Sequence, residues 1–161
     1  MSIQNLSIIG STEYVEIEGI KHIPAKIDTG ADSSSVHVEN IEMSPDGVLS
    51  FELFGKKLET TSYEVAVVRS SNGAEQLRYR TKLHIKLGKK RLFTTFSLSN
   101  RSKNNFPVLI GRATLEGRFL VNVSKRDINP EKNPKTKDYN NKLKENPFEF
   151  HQKYVTLAKE K

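Results

Sequence analysis

The chain has 161 residues, enough for one domain with a real core and too few for two comfortable ones. Only 35% of it is apolar and there is no cysteine, which excludes disulfides and thiolate metal sites and leaves part of the length outside any core. The net charge of +7 is uneven: residues 124–161 carry ten Lys/Arg against six Asp/Glu, so much of the basic balance is tail.

The opening MSIQNLSIIGSTEYVE has neither a basic leader region nor an apolar run of signal length, and no segment approaches a membrane span. A soluble, cytoplasmic protein without membrane attachment is the expectation. From residue 13 to about 123 short strands alternate with turn residues. Val15 and Ile17 alternate with Glu16 and Glu18 before Gly19; the stretch 48–55 alternates after the turn SPDG; YEVAVV (63–68) runs into the turn RSSNG. Residues 77–88 have the clearest period of two, with Tyr79, Leu83, Ile85 and Leu87 on one face and Arg78, Arg80, Lys82, His84 and Lys86 on the other. The turn GKKR then leads into LFTTFSL, so 77–98 reads as a hairpin. One short helix is expected after Gly111, in RATLEG. Residues 1–123 thus form the domain, and 124–161 a basic tail. The tail opens as a Pro/Asn/Lys-rich linker, partly disordered, and ends in an amphipathic helix using Phe150, Tyr154, Leu157 and Ala158.

Two stretches carry chemistry. AKIDTGADSSSV (25–36) brings an apolar approach to Asp28, then Thr-Gly and small polar residues. As a bare turn this tripeptide is unremarkable. A calcium loop fails, because Gly30 stands where a ligand is required and Ser33 where the sharp turn needs glycine. FPVLIGRATL (106–115) is an apolar strand ending in Ile110-Gly111, followed by Arg112. An apolar strand ending in Asp-Thr-Gly-Ala, then apolar-apolar-Gly-Arg some eighty residues later, resembles the retropepsins, the single-lobe aspartic peptidases. The stretches 26–37, 67–88 and 100–124 are similar to one group of them, the bacterial and archaeal retropepsin-like proteins labelled ATP-dependent zinc proteases. In this chain Asn122 stands where that group usually has Asp, and residues 103–105 lack its common Met.

The resemblance implies an all-β fold, a closed retropepsin-like barrel with one short helix after Gly111. It implies a homodimer in which Asp28 meets its symmetry mate, Thr29 bonds across the dimer, Gly30 presents its N–H to the acid and small Ala31 lines the cleft floor. Substrate-side residues would include Ile110, Gly111 and Arg112, although a structural salt bridge is the commoner fate of such an arginine. A hairpin flap would place its tip at Gly73, with SPDG (44–47) the alternative. No cofactor is expected: His22, His37, His84 and His151 lack zinc-ligand spacing, and no phosphate-binding glycine loop is present.

Arg78 and Arg80 on the basic face are either a solvated edge that discourages aggregation or a field that steers an acidic ligand. The group resembles companions of glutamate-ligase-type ATP-grasp enzymes, so a peptide or protein substrate rich in glutamate would suit it. Two rivals stay open: a non-catalytic peptide-binding module of the same fold, and, ranked last, a nucleic-acid binder, for which the basic face has few interleaved aromatics.

Overall fold

The computed structural model describes residues 5–69, 72–128, 133 and 135–156. Two units are present, Met1–Asn129 and Pro130–Lys161. In the first, strands follow one another from alternating or β-branched segments: β1 (Ser7–Gly10), β2 (Thr12–Ile17), β3 (Ile20–Ile27), β4 (Ser34–His37), β5 (Glu39–Met43), β6 (Leu49–Leu53), β7 (Lys56–Thr60), β8 (Glu64–Arg69), β9 (Glu75–Leu87), β10 (Lys90–Ser99), β11 (Val108–Ile110) and β12 (Phe119–Asn122). The one short helix of this unit, α1 (Arg112–Leu115), follows Gly111.

The expected hairpin is β9–β10, antiparallel from Leu87 opposite Lys90 to Arg80 opposite Ser97. Its period of two sorts side chains by solvent: Leu83, Ile85 and Leu87 are buried, while Lys82, His84 and Lys86 are exposed. Gly88 makes the turn at φ +58°, a backbone region that costs other residues a steric clash. Six strands close into a barrel in the order β10-β4-β11-β3-β2-β9, with β9 returning to β10 and β8 extending outward from β9. Two of these pairings, β4 with β10 and β3 with β11, are parallel. Ile17, Ala25, Val36, Leu87, Phe96, Val108 and Ile110 fill the interior with no exposed surface. A three-stranded sheet, β5-β6-β7, adds Leu49, Phe51 and Leu53 to the same core.

The third sheet is the parallel pair β1–β12, in which Ile8 lies opposite Leu120. Just beyond it the chain straps back over β2. The Lys125 carbonyl accepts from Ser11 N at 2.9 Å, and Thr12 Oγ1 donates to the Ile128 carbonyl at 2.8 Å. Next to this strap the Glu13 carboxylate accepts from Gly10 N at 2.7 Å and faces Asp127. Burial first, and then the hydrogen bond with Asp127, hold the Glu13 carboxyl above the usual range, with Lys125 opposing.

A carboxyl raised in the fold binds more protons there than in the unfolded chain, so stability falls as pH rises from the ordinary glutamate value through the folded one. Glu13→Gln, which keeps an acceptor for Gly10 N, should therefore match wild type near pH 4. At pH 7 it should melt about 1–3 °C higher, the modest gain expected of a half-exposed like-charge pair. Melting curves across pH check this; a lower melting point for Glu13→Gln at pH 7 would contradict it.

In the second unit the expected linker contains an 11-residue helix, α2 (Lys135–Glu145). Low apolar content pointed to disorder there, but Lys-rich segments form helix readily, and Lys142 pairs with Asp138 one turn earlier at 3.0 Å. Asn146 then accepts from Glu149 N at 3.2 Å and caps α3 (Pro147–Phe150), with Pro147 in the first helical turn. The chain continues as a wider helical turn, His151–Thr156. Phe150 and Tyr154 meet each other with ring centroids 4.8 Å apart, and both meet Tyr139 of α2. Leu157 and Ala158, the rest of the expected apolar stripe, lie outside the described residues. Among the described residues no helix is long and apolar enough to cross a membrane.

Candidate active site

β3 delivers Asp28 to the end of the barrel. Its buried residues Ile23, Ala25 and Ile27 bind the strand to the core, and Ile27 N donates to the Ser11 carbonyl. The next backbone N–H, that of Asp28, donates to the Ile110 carbonyl at 2.8 Å. Ala31 N then returns to the Asp28 carbonyl, closing a tight turn, while Gly30 N donates to Asp28 Oδ1 at 3.0 Å. The carboxylate is thus oriented by its own loop. A side chain on residue 30 would put Cβ 3.3 Å from Asp28 Oδ1, so glycine gives that oxygen room. Asp28 and Ala31 are half-buried, whereas Thr29 and Gly30 are exposed.

The second motif clamps the first. β11 runs parallel to β3 with Ile110 opposite Ile27, and the Ile110 side chain is wholly buried. What Ile110 offers the loop is its carbonyl. Gly111 is also buried, stacked against the backbone of Ser33, and its N–H donates to Ser34 Oγ at 3.1 Å. Ser34 Oγ in turn bonds Thr114 Oγ1 at 2.6 Å. Arg112 makes three contacts with the loop: its backbone N–H reaches the Ala31 carbonyl at 2.8 Å, its guanidinium donates to the Thr29 carbonyl at 3.1 Å, and the same guanidinium pairs with Asp32. Residues 28–34 are therefore held by strand, glycine and helix together, and Asp32 is committed to an arginine.

The remaining sequence-predicted residues lie on the β8–β9 hairpin. Gly73 sits exposed at its tip with φ +84°, while Ser70 and Ser71 of the same turn lie outside the described residues. The alternative tip, Ser44–Gly47, is a tight turn joining β5 to β6, with Gly47 N donating to the Ser44 carbonyl. Val65, Val67 and Leu77 form an exposed apolar stripe on one hairpin face, Leu77 being 72% exposed. The opposite face carries Ala66, Val68, Gln76 and Arg78. Arg80, lower on that face, pairs with Glu64 at 3.7 Å, and its Nε is buried with no hydrogen-bond partner among the described residues. Arg78 instead lines a cavity of about 520 Å³ with Gln76, Ile41, Ser99, Asn100 and Lys103.

Sequence reasoning missed Arg101. Its Nε donates to the Phe106 carbonyl at 3.1 Å, its guanidinium reaches Ser35 Oγ at 3.5 Å, and its backbone N–H donates to His37 Nδ1 at 2.8 Å. Burial pushes its guanidinium down from the ordinary arginine value, Arg78 pushes it the same way, and Asp28 opposes both. The turn NRSKNNF has no periodicity to single it out; an arginine shortly before the strand of the second motif is the only signal the sequence offered.

Comparison with known proteins adds to this geometry. A family model described as the retropepsin-like aspartic endopeptidase RimB matches residues 8–132. Curated proteins named "Probable alpha-L-glutamate ligase" are similar, two of them as follows. That of Desulfotalea psychrophila is 30% identical over 71% of this chain, and that of Shewanella pealeana 31% identical over 74%. The matched stretch spans only 27% and 29% of those two proteins, so this chain corresponds to less than a third of their length. A crystal structure of a Legionella pneumophila protein of unknown function superposes with a TM-score of 0.56 at 27% identity, covering 74% of this chain and 95% of that one. An Asp-Thr-Gly loop at the mouth of a closed six-stranded barrel, clamped by a Gly-Arg strand end, accords with these matches: the chain belongs to the RimB-like family of retropepsin-like aspartic endopeptidases.

Proposed function

We propose that this chain is an aspartic peptidase that works as a homodimer, with Asp28 and the Asp28 of a second copy activating one water between them. The observation that carries this is the division of labour between the two acids of the loop. Asp32 is held by Arg112, while Asp28 is half-buried and oriented by Gly30 N with no cation paired to it among the described residues. Two carboxylates close enough to share a proton cannot both ionise, so one acts as base toward water and the other donates to the scissile carbonyl oxygen. With Asp32 committed, the second carboxylate of such a pair comes from another chain.

The surface beside the loop supports a second copy. Ile8 and Leu120 are 61% and 45% exposed on the β1–β12 sheet, and Thr29 shares a cavity of about 550 Å³ with Leu115, Phe119, Leu120 and Val121. In this reading Thr29, exposed beside Asp28, bonds across such an interface, and the β8–β9 hairpin with Gly73 at its tip serves as the flap. Arg78, which has no ion pair among the described residues, favours an acidic peptide, with Arg80 beside it committed to Glu64, and relatives named as glutamate ligases point the same way. A peptidase that trims glutamate-rich tails, acting in the cytoplasm beside an ATP-grasp enzyme that adds glutamate, is the coherent form of this reading.

The test joins assembly to chemistry. Wild type should run as a dimer and cleave glutamate-rich peptides. Leu120→Arg, which places a charge in the proposed interface, should run as a monomer with intact circular dichroism and at least about a hundredfold lower cleavage, since burying an unpaired charge is strongly unfavourable. A fully active Leu120→Arg monomer would overturn the dimeric reading.

A further inference from the structure

We propose that Arg101 and Arg78 together form a carboxylate-binding subsite beside Asp28, which takes the side-chain carboxylate of a glutamate or aspartate in the substrate peptide. This rests on the peptidase reading above and names the residues that would confer its preference for acid.

The first support is what these two arginines lack. Of the six other arginines of the barrel unit, four hold a carboxylate, Arg69 with Glu75, Arg80 with Glu64, Arg91 with Glu16 and Arg112 with Asp32, while Arg118 bonds the Ala113 and Thr114 carbonyls of its own turn and Arg126 is exposed. Among the described residues neither Arg78 nor Arg101 has an ion pair. Arg78 makes only a long bond, 3.5 Å, to Gln76 Oε1. Arg101 is satisfied on one edge by the Phe106 carbonyl and reaches Ser35 Oγ at 3.5 Å. Backbone and hydroxyl contacts fix a guanidinium without neutralising it, and its planar fork suits bidentate contact with a carboxylate.

The second support is placement. Ser35, which Arg101 contacts, lies opposite Leu109 in β11, and the next residue of β11, Ile110, holds Asp28 by its carbonyl. From the other side Arg78 projects from the hairpin face shared with Gln76 and Ala66 into the cavity of about 520 Å³. The wall of that cavity includes Asn100, Ser102, Lys103 and Asn104, the turn that carries Arg101. Its lining holds two cations, Arg78 and Lys103, and no acid.

The third support is electrostatic. Arg101 is partly desolvated, and the charge of Arg78 adds to that cost. Arg78 at the cavity wall and the half-buried Arg101 behind it repel each other, and an incoming carboxylate relieves that repulsion. Asp28 acts on Arg101 through space, but among the described residues it forms no ion pair with either arginine. The same two guanidiniums would bind a glutamine side chain far less well, because the charge-assisted part of each bond is lost.

Two peptides identical except for Glu or Gln at a single position near the scissile bond provide the probe. Wild type should cleave the Glu peptide at least about tenfold better in kcat/KM, the change expected of one charge-assisted bond. Arg101→Gln and Arg78→Gln should each remove most of that preference, lowering the Glu peptide about tenfold while leaving the Gln peptide within about twofold. Arg91→Gln, which breaks a surface pair on the barrel, should leave the preference intact. Equal losses on both peptides, or an undiminished preference, would overturn the subsite. Arg78 loses only its long bond to Gln76, so Arg78→Gln carries the test even if Arg101→Gln misfolds.

Binding of the same peptides to Asp28→Asn, followed by calorimetry, separates the two levels. Charge-selective binding that vanishes in the Arg78 and Arg101 variants, with no cleavage by wild type, keeps the subsite and discards the peptidase. Cleavage without charge preference does the reverse.

Discussion

Asp28→Asn should fold, dimerise and cleave nothing. Asparagine is isosteric and keeps an oxygen to accept from Gly30 N, which donates to Asp28 Oδ1 at 3.0 Å, so the loop has no reason to rearrange. The backbone bond from residue 28 to the Ile110 carbonyl is untouched by the substitution. An amide cannot serve as a general base, however, and losing that function costs on the order of a thousandfold or more in rate. The melting temperature should stay within about 2 °C of wild type, as for a substitution that removes no packing. Cleavage within tenfold of wild type would remove Asp28 from the chemistry altogether. In active wild type, rate against pH should be bell-shaped, with its two limbs belonging to the carboxylate pair as a unit.

Among the described glycines, Gly111→Ala should be the most damaging substitution. The backbone at Gly111 is extended, with φ −99°, so glycine is needed here for space and not for its freedom of rotation. A Cβ would fall 2.6 Å from the Ser33 carbonyl carbon and 2.9 Å from its nitrogen. Neither atom can retreat cheaply. Arg112 N and Ala113 N bond the Ala31 and Asp32 carbonyls at 2.8 and 3.0 Å, and Gly111 N bonds Ser34 Oγ, so the two segments are laced together on both sides of the clash. Forcing a methyl group into a packed site of this kind costs about 1–3 kcal/mol, and the rigid backbone here places it at the upper end. A fall in melting temperature of about 5–10 °C is expected, together with loss of cleavage as the Asp28 loop is pushed out of position. A variant that melts within about 1 °C of wild type and retains activity would show that the strand end does not clamp the loop.

How much of this was legible in the sequence depends on the range of the interaction. The β9–β10 hairpin could be read because its alternation, its turn and its pairing all lie within one short stretch. Asp28 and Gly111 could be read because two local motifs occur in a set order. The parallel pairings that close the barrel, β4 with β10 and β3 with β11, leave no local trace, since each joins segments far apart in the chain. The same holds for β1 against β12, where SIIG meets FLVN across almost the whole domain.

Arg101 escaped notice for a related reason. It lies in a polar turn with no periodicity, and its interest comes from neighbours on three other segments: Ser35, Phe106 and Arg78. In the tail, composition misled. Lys135–Glu145 looks like linker by its apolar content, yet it forms helix, with Tyr139 meeting Phe150 and Tyr154. Conversely, the basic face of β9, uniform in the sequence, divides in the structure: Lys82, His84 and Lys86 are plainly solvated, while Arg78 and Arg80 are half-buried.

The most direct test of the shared dyad is a mixing experiment. Wild type is held at fixed concentration with saturating glutamate-rich peptide, and Asp28→Asn is added up to ninefold excess with time for subunits to exchange. If each active centre needs an Asp28 from two chains, random exchange leaves about a tenth of the wild-type activity at that excess. Activity that holds at its starting value or rises while mixed dimers are present would mean that one Asp28 suffices, and the dyad would be contradicted.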